Sequence, residues 1–160
     1  MKKVTILLLL LIFISLGKSY GQNAIGLRLG FSGFEASFQT SKIVPNRLEA
    51  DFGGGWTYNW FNWNFTGIYQ FVFPIENNFY WYVGPGLGIG SWEYRGKILE
   101  LKQDDGVSLF FVANAGAEYN FKEIPFQVSF DLRLKPYLIY KGSARYVDLG
   151  VAVRYSFGKQ

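Results

Sequence analysis

From Ile25 onward, apolar and polar residues alternate with a period of two in eight successive segments. Ile25, Leu27, Leu29 and Phe31 alternate with Gly26, Arg28, Gly30 and Ser32. After a turn at Gly33, Phe34, Ala36, Phe38 and Thr40 alternate with Glu35, Ser37, Gln39 and Ser41. The third segment sets Leu48, Ala50, Phe52, Gly54, Trp56 and Tyr58 against Glu49, Asp51, Gly53, Gly55, Thr57 and Asn59. The fourth sets Trp63, Phe65, Gly67, Tyr69, Phe71 and Phe73 against Asn64, Thr66, Ile68, Gln70 and Val72. A fifth runs from Phe79 to about Tyr94, with Trp81, Val83, Leu87 and Ile89 opposite Gly84, Gly86, Gly88 and Gly90. The sixth places Leu109, Phe111, Ala113, Ala115, Ala117, Tyr119 and Phe121 opposite Ser108, Asn114, Gly116, Glu118 and Asn120. In the seventh, Phe126, Val128, Phe130, Leu132 and Leu134 oppose Gln127, Ser129, Asp131, Arg133 and Lys135. The last sets Val147, Leu149, Val151, Val153, Tyr155 and Phe157 against Asp148, Gly150, Ala152, Arg154 and Ser156.

A period of two puts successive side chains on opposite faces of a strand, so each segment predicts a β-strand with one apolar and one polar face. Most of the runs hold about 9 to 12 residues, against about 5 or 6 for an ordinary soluble strand, and a tilted strand crossing a bilayer needs roughly 9 to 11. No helical period competes after Gln22. Eight strands of about 11 residues leave short connections and ten would leave almost none. The expectation is an all-β fold: an eight-stranded, antiparallel, up-and-down transmembrane β-barrel.

The polar face collects Arg28, Glu35, Glu49, Asp51, Glu118, Asp131, Arg133, Lys135, Asp148 and Arg154, a mixture of both signs. In a soluble lipocalin-like barrel the apolar face would point inward. The rings of Phe31, Phe34, Phe38, Phe52, Trp56, Trp63, Phe65, Tyr69, Phe71, Phe111, Phe126 and Phe130 are too bulky for an eight-stranded interior. They suit a lipid-facing exterior, with the charges pairing inside as a lumen network. A bilayer also demands closure, since unpaired backbone groups in hydrocarbon are costly. Trp56, Tyr58, Trp60, Trp63 and Trp92 cluster near one end of the segments and Trp81 near the other, the positions expected of interfacial aromatics.

The alternation is preceded by a leader of a different kind. Lys2 and Lys3 are followed by a mostly apolar run from Val4 to Leu16, shorter than the roughly 20 residues of a spanning helix. Ser19-Tyr20-Gly21 then offers a small-x-small cleavage site. Residues 1–21 therefore read as a cleaved signal peptide and 22–160 as the barrel; no cysteine is present for lipoprotein processing. The formal charge of +4 shrinks accordingly. Lys2, Lys3 and Lys18 leave with the leader, and 13 basic residues then face 12 acidic ones. That balance is no footprint for nucleic acid.

Connections alternate between two ends. Ile43–Asn46, Glu76–Asn78 and Lys122–Pro125 are short, as expected of periplasmic turns. Ser32–Gly33, Asn59–Asn62, Arg95–Gly106 and Lys141–Arg145 lie at the other end, with Arg95–Gly106 the longest. The terminal Val151-Ala152-Val153-Arg154-Tyr155-Ser156-Phe157 resembles the aromatic-ended last strand that barrel-assembly machinery recognises, although Gly158-Lys159-Gln160 follow the Phe. With Glu118–Phe126 and Val83-Gly84-Pro85-Gly86, it resembles small outer-membrane barrel proteins of Bacteroidetes-type bacteria, of the OmpA/OmpX-type class. The resemblance implies no catalytic residue, and the peptidoglycan-binding domain of full-length OmpA-type proteins has no counterpart in these segments.

Other chemistry finds little to rest on. Without histidine, the mechanism that the resemblance associates with lipid-modifying barrels is unavailable. Glu49 and Asp51 share a face and read as members of the lumen network rather than an acid–base pair. Asp104-Asp105-Gly106 lacks the spaced oxygens of a Ca²⁺ loop and reads as a solvated turn. The Gly84–Gly90 ladder reads as a strand whose glycines leave room in the lumen, not as a phosphate loop. The expectation is thus a non-enzymatic outer-membrane barrel without cofactor or metal. Its role would be structural or surface-interacting, and its partners outer-membrane lipids, lipopolysaccharide and the assembly machinery, with no nucleic acid and a monomeric state. A narrow porin-like channel and a soluble lipocalin-like lipid binder stay open as alternatives.

Overall fold

The computed structural model describes residues 23–43, 46–57, 60–94, 105–139 and 146–157. The expected signal peptide over 1–21, Tyr58, the bulk of Arg95–Gly106, Lys141–Arg145 and the Gly158–Gln160 tail lie outside the described residues. Among the described residues, nine strands form one antiparallel sheet: β1 (Asn23–Gly30), β2 (Gly33–Ile43), β3 (Asn46–Thr57), β4 (Trp60–Glu76), β5 (Phe79–Tyr94), β6 (Asp105–Asn120), β7 (Phe126–Leu134), β8 (Tyr137–Ile139) and β9 (Val147–Phe157). Each of the first six pairs with its successor, β6 pairs with both β7 and β8, and β9 lies between β7 and β1. The pairing of β1 with β9, from Asn23↔Phe157 to Gly30↔Gly150, closes the wall. The result is an eight-stranded closed barrel in which β7 and β8 share one position.

The break between β7 and β8 has a chemical cause. Pro136 has no N–H to give to the ladder. Around it the bonds are rerouted: the Lys135 amide donates to the Tyr146 carbonyl at 2.8 Å, and the Phe111 amide donates to the Pro136 carbonyl at 3.0 Å. Counted as separate strands the wall has one more than expected, but its circumference is that of eight.

The register fixes the barrel's dimensions. Partners lead from Val147 through Leu134, Ala113, Pro85, Tyr69, Leu48, Thr40 and Asn23 to Phe157, so one circuit ends ten positions further along β9. Pro85 faces Tyr69 by continuity with Gly86↔Ile68 and Val83↔Phe71. At about 3.3 Å per residue and about 4.8 Å between strands, this stagger tilts the strands by about 40° and gives a backbone radius of about 8 Å. Each residue then rises about 2.5 Å along the barrel axis.

Several strands outrun the boundaries that the pattern suggested. Trp60–Asn62, expected in a turn, belong to β4 and pair with Thr57–Gly55. The Asn62 carboxamide oxygen accepts the Gly55 amide at 2.7 Å, so a residue with turn preference is used here to hold the ladder. Asp105 and Gly106, expected in a solvated loop, start β6 opposite Glu93 and Trp92. Glu76 closes β4, leaving Asn77 and Asn78 as a two-residue turn with φ of 41° and 73°, the left-handed pair that asparagine tolerates. The β1–β2 turn consists of Phe31 and Ser32 between Gly30 and Gly33. Gly33 has φ 131°, and a Cβ there would stand 2.2 Å from the Gly54 carbonyl oxygen, so no larger residue fits.

The two faces of the wall are those of a soluble protein turned inside out. Leu27, Leu29, Phe31, Phe34, Phe52, Phe65, Phe71, Leu87, Phe111, Phe126 and Phe130 point outward and are exposed, whereas Phe38 and Tyr69 are partly covered by neighbours. Among the described residues, the apolar cluster inside is made by Ile68, Phe110 and Val112, with Tyr137 against them.

Candidate functional site

The barrel interior holds the chain's densest chemistry. Arg28, Glu35, Glu49, Asp51, Glu118, Asp131, Arg133, Lys135, Asp148 and Arg154 all lie on inward positions and are all buried. Arg47 joins them, so that among the described residues six carboxylates and five basic groups occupy the lumen. An isolated charge would be prohibitively costly there, and each is held by partners on other strands.

Three arginines organise the centre. Arg28 on β1 reaches Asp131 on β7 through Nε at 3.0 Å and Nη2 at 2.7 Å. Its Nη1 donates to Glu35 at 3.1 Å and Asp148 at 2.9 Å. Arg133 on β7 spans the lumen to β2 and β3, donating to Glu35 at 3.0 Å, Glu49 at 2.6 Å and Asp51 at 2.8 Å. Its Nε stands 3.4 Å from Asp131, an ion pair without hydrogen-bond alignment. Arg154 on β9 donates to the hydroxyls of Ser37 and Ser129 at 2.9 and 2.7 Å and to Glu49 at 3.2 Å.

Glu49 is the hub. Besides two arginines it accepts from the amides of Gln70, at 3.1 Å, and Gln39. Gln39 in turn accepts from Gln127 at 2.6 Å, and Gln70 donates to Asn114 at 2.9 Å. Toward the end that holds the barrel's first and last residues, Arg47 donates to Glu118 at 2.6 Å and to Gln70 at 2.8 Å, with its guanidinium 5.0 Å from the centre of the Tyr82 ring. Toward the other end, Lys135 meets Asp148 at 3.2 Å and lies 6.0 Å from the Phe110 ring.

The glycine ladder has a packing role. Gly84, Gly86, Gly88 and Gly90 line the inner face of β5, and Gly88 is directly opposite Phe110. A Cβ on Gly88 would lie 2.2 Å from that ring, so the absent side chain is what lets Phe110 turn into the lumen. Together with Ile68, Val112 and Tyr137, the ring forms an apolar lid over the charged layer.

The alternation places Gln39, Gln70 and Asn114 on the polar face without naming them in the network, and it does not place Arg47, Tyr82 or Phe110 there. Arg47 sits two positions before Glu49 on the same face, so parity identifies it once β3 is known to begin at Asn46. Of the expected interfacial aromatics, Trp63 and Trp81 face outward near opposite ends, and Trp81 stacks on Phe73 at 4.7 Å. Trp56, Trp60 and Trp92 fall within β3, β4 and β5, but their side chains, like Tyr58, lie outside the described residues.

No family model and no curated protein matches the chain. Among solved structures, the N-terminal β-barrel domain of Pseudomonas aeruginosa OprF is similar with a TM-score of 0.67 at 15% identity, covering 87% of this chain and 98% of that one. Neisserial surface protein A is similar with a TM-score of 0.55 at 15% identity, covering 86% of this chain and 96% of that one. The attachment invasion locus protein Ail of Yersinia pestis follows with a TM-score of 0.52 at 14% identity, covering 86% and 99%. At such identities the likeness establishes the fold, which is that of the OmpA/OmpX-type eight-stranded barrels.

Proposed function

We propose that the protein is a non-enzymatic integral barrel of the outer membrane of a Gram-negative-type bacterium, with a plugged lumen and a structural or surface-interaction role. The observation that carries this reading is the inverted polarity of the wall. Eleven charged side chains are buried inside, while a belt of Leu, Val, Phe and Trp is exposed outside. In water that belt would be an aggregation surface; in acyl chains it needs no cover. The fold shared with OprF, Neisserial surface protein A and Ail supports the same setting.

The plug is argued from reach. Arg28, Arg133 and Arg154 each join strands on different sides of a tube of about 8 Å backbone radius, which leaves little open cross-section. The same polarity disfavours a soluble carrier of lipid-like ligands, which needs an apolar lumen. Outer-membrane lipids and lipopolysaccharide are the surroundings proposed for the belt, the assembly machinery a transient partner of β9, and a monomer the working state. Electrophoresis of the outer-membrane fraction in SDS tests the proposal. A closed membrane barrel keeps its shape unheated and changes mobility on boiling. A mature protein that stays in the soluble fraction with one mobility in both conditions would refute it.

A further inference from the structure

The apolar belt is not of even height. On the β1–β2 hairpin the outward apolar positions run from Ile25 to Phe31 and from Phe34 to Phe38, with Thr40 next below on β2 and Asn23, which is buried, below Ile25 on β1. Six residues of rise make this face about 15 Å tall. On β6, diametrically opposite β2, outward apolar residues run from Val107 to Tyr119, or about 30 Å, and Phe121 follows just past the end of the strand. Outer-membrane barrels present a belt of about 25 Å. One side is therefore short of that height and the other exceeds it.

The difference arises at both rims. Phe34, Gly54, Trp63, Ser91 and Val107 are successive register partners, and the stagger lifts each step around the barrel. Val107 thereby stands about 8 Å above the tip of the Phe31–Ser32 turn. At the other end, Phe121 lies below Ile25. A tilt of the barrel would raise or lower both rims of the short face together, bringing one nearer the membrane surface and carrying the other further from it, and so cannot level a wall that is short at both.

The turn itself is built for contact with lipid. Gly30-Phe31-Ser32-Gly33 carries no charge, whereas the connections spanning 95–104 and 140–145 hold several. The Phe31 amide donates to the Leu149 carbonyl at 3.1 Å, and the Ser32 amide donates to Asp148 at 3.0 Å. The protein itself satisfies these two donors, as a low-dielectric surrounding requires. Phe31 and Phe34 project outward at 66% and 62% exposure.

We propose that the bilayer is pinched where it meets β1 and β2, its apolar layer thinner there than against β6. A closed ladder of backbone hydrogen bonds yields less readily than lipid chains do, so the lipid takes up the mismatch. The inference rests on the membrane reading above. Single cysteines in this cysteine-free chain test it, at Ser32 on the turn, Val107 on the high rim and Gly67 at mid-height, where a Cβ meets nothing within 4 Å. Spin labels at the three sites are read in phosphatidylcholine vesicles for collision with oxygen and with a water-soluble nickel chelate, after each variant passes the SDS mobility assay. Pinching gives the Ser32 and Val107 labels the same depth, with Gly67 deep. A depth difference of about 8 Å between the two rim labels, with Gly67 still deep, overturns the pinch and leaves the membrane barrel standing. A Gly67 label open to the nickel chelate overturns both.

Discussion

Glu49 and Leu27 illustrate how position decides what a side chain costs. Glu49 holds two guanidinium groups and two amides inside the lumen. Glu49→Ala strands Arg133 and Arg154 partly unpaired and should cost about 3–5 kcal/mol, read as a lower urea midpoint for loss of the SDS-resistant band. Leu27 neighbours Arg28 in sequence but points the other way, near mid-height. Leu27→Arg should cost about 2–4 kcal/mol in the same assay, although an arginine one position later is part of the native network. Gly88→Ala forces the Phe110 ring aside, with an expected loss of about 1–3 kcal/mol, and Phe110→Ala in the same chain should lessen the further effect of that change. An unchanged midpoint for Gly88→Ala would mean that Phe110 does not depend on the gap. The inward set was legible because charges recur at every second position. Phe110 was not, because an aromatic at an inward position looks like a lapse in alternation until Gly88 is seen opposite it.

For whole strands, the alternation gave type and number but not ends. Strand β4 runs through Trp60-Phe61-Asn62, and β6 begins at Asp105, because a long neighbour supplies partners to residues whose own preference is for turns. Propensity is local and a ladder is not. The Lys135–Pro136 break was hidden for the opposite reason: Lys135 keeps its inward parity, so nothing in the pattern marks the missing donor. Turns show where local chemistry governs. Asn78, at φ 73°, should accept glycine with little change in refolding yield. Asn78→Val should lower the urea midpoint by the equivalent of about 1–2 kcal/mol, the left-handed conformation being hardest for a β-branched side chain.

In the molecule as a whole, an inner network and an outer belt answer to different surroundings. The network is crossed by ion pairs from wall to wall, so planar bilayers containing the protein should show no steady conductance. A stable open level would mean that the guanidinium groups leave a continuous path. The belt makes stability dependent on lipid or detergent, whereas the network, shielded from bulk solution, should respond little to moderate salt. Measuring the urea midpoint in vesicles at low and high sodium chloride checks this, with little shift expected. The location of the charges inside was readable from their mixture of signs on one face. Their pairings were not, since they depend on a ten-residue stagger that no single strand encodes.

The seam between β1 and β9 also sets an order of events. Every partner that β1 has on that side, from Asn23↔Phe157 to Gly30↔Gly150, lies in the last eleven residues of the described barrel. A chain delivered from its N-terminus must therefore wait, with one edge of β1 unsatisfied, until the last strand of the barrel has arrived. Closing so distant a contact is slow, and an open strand edge invites pairing with other chains. The final step of folding is thus also the one that ends the hazard: a single zip of the first strand against the last.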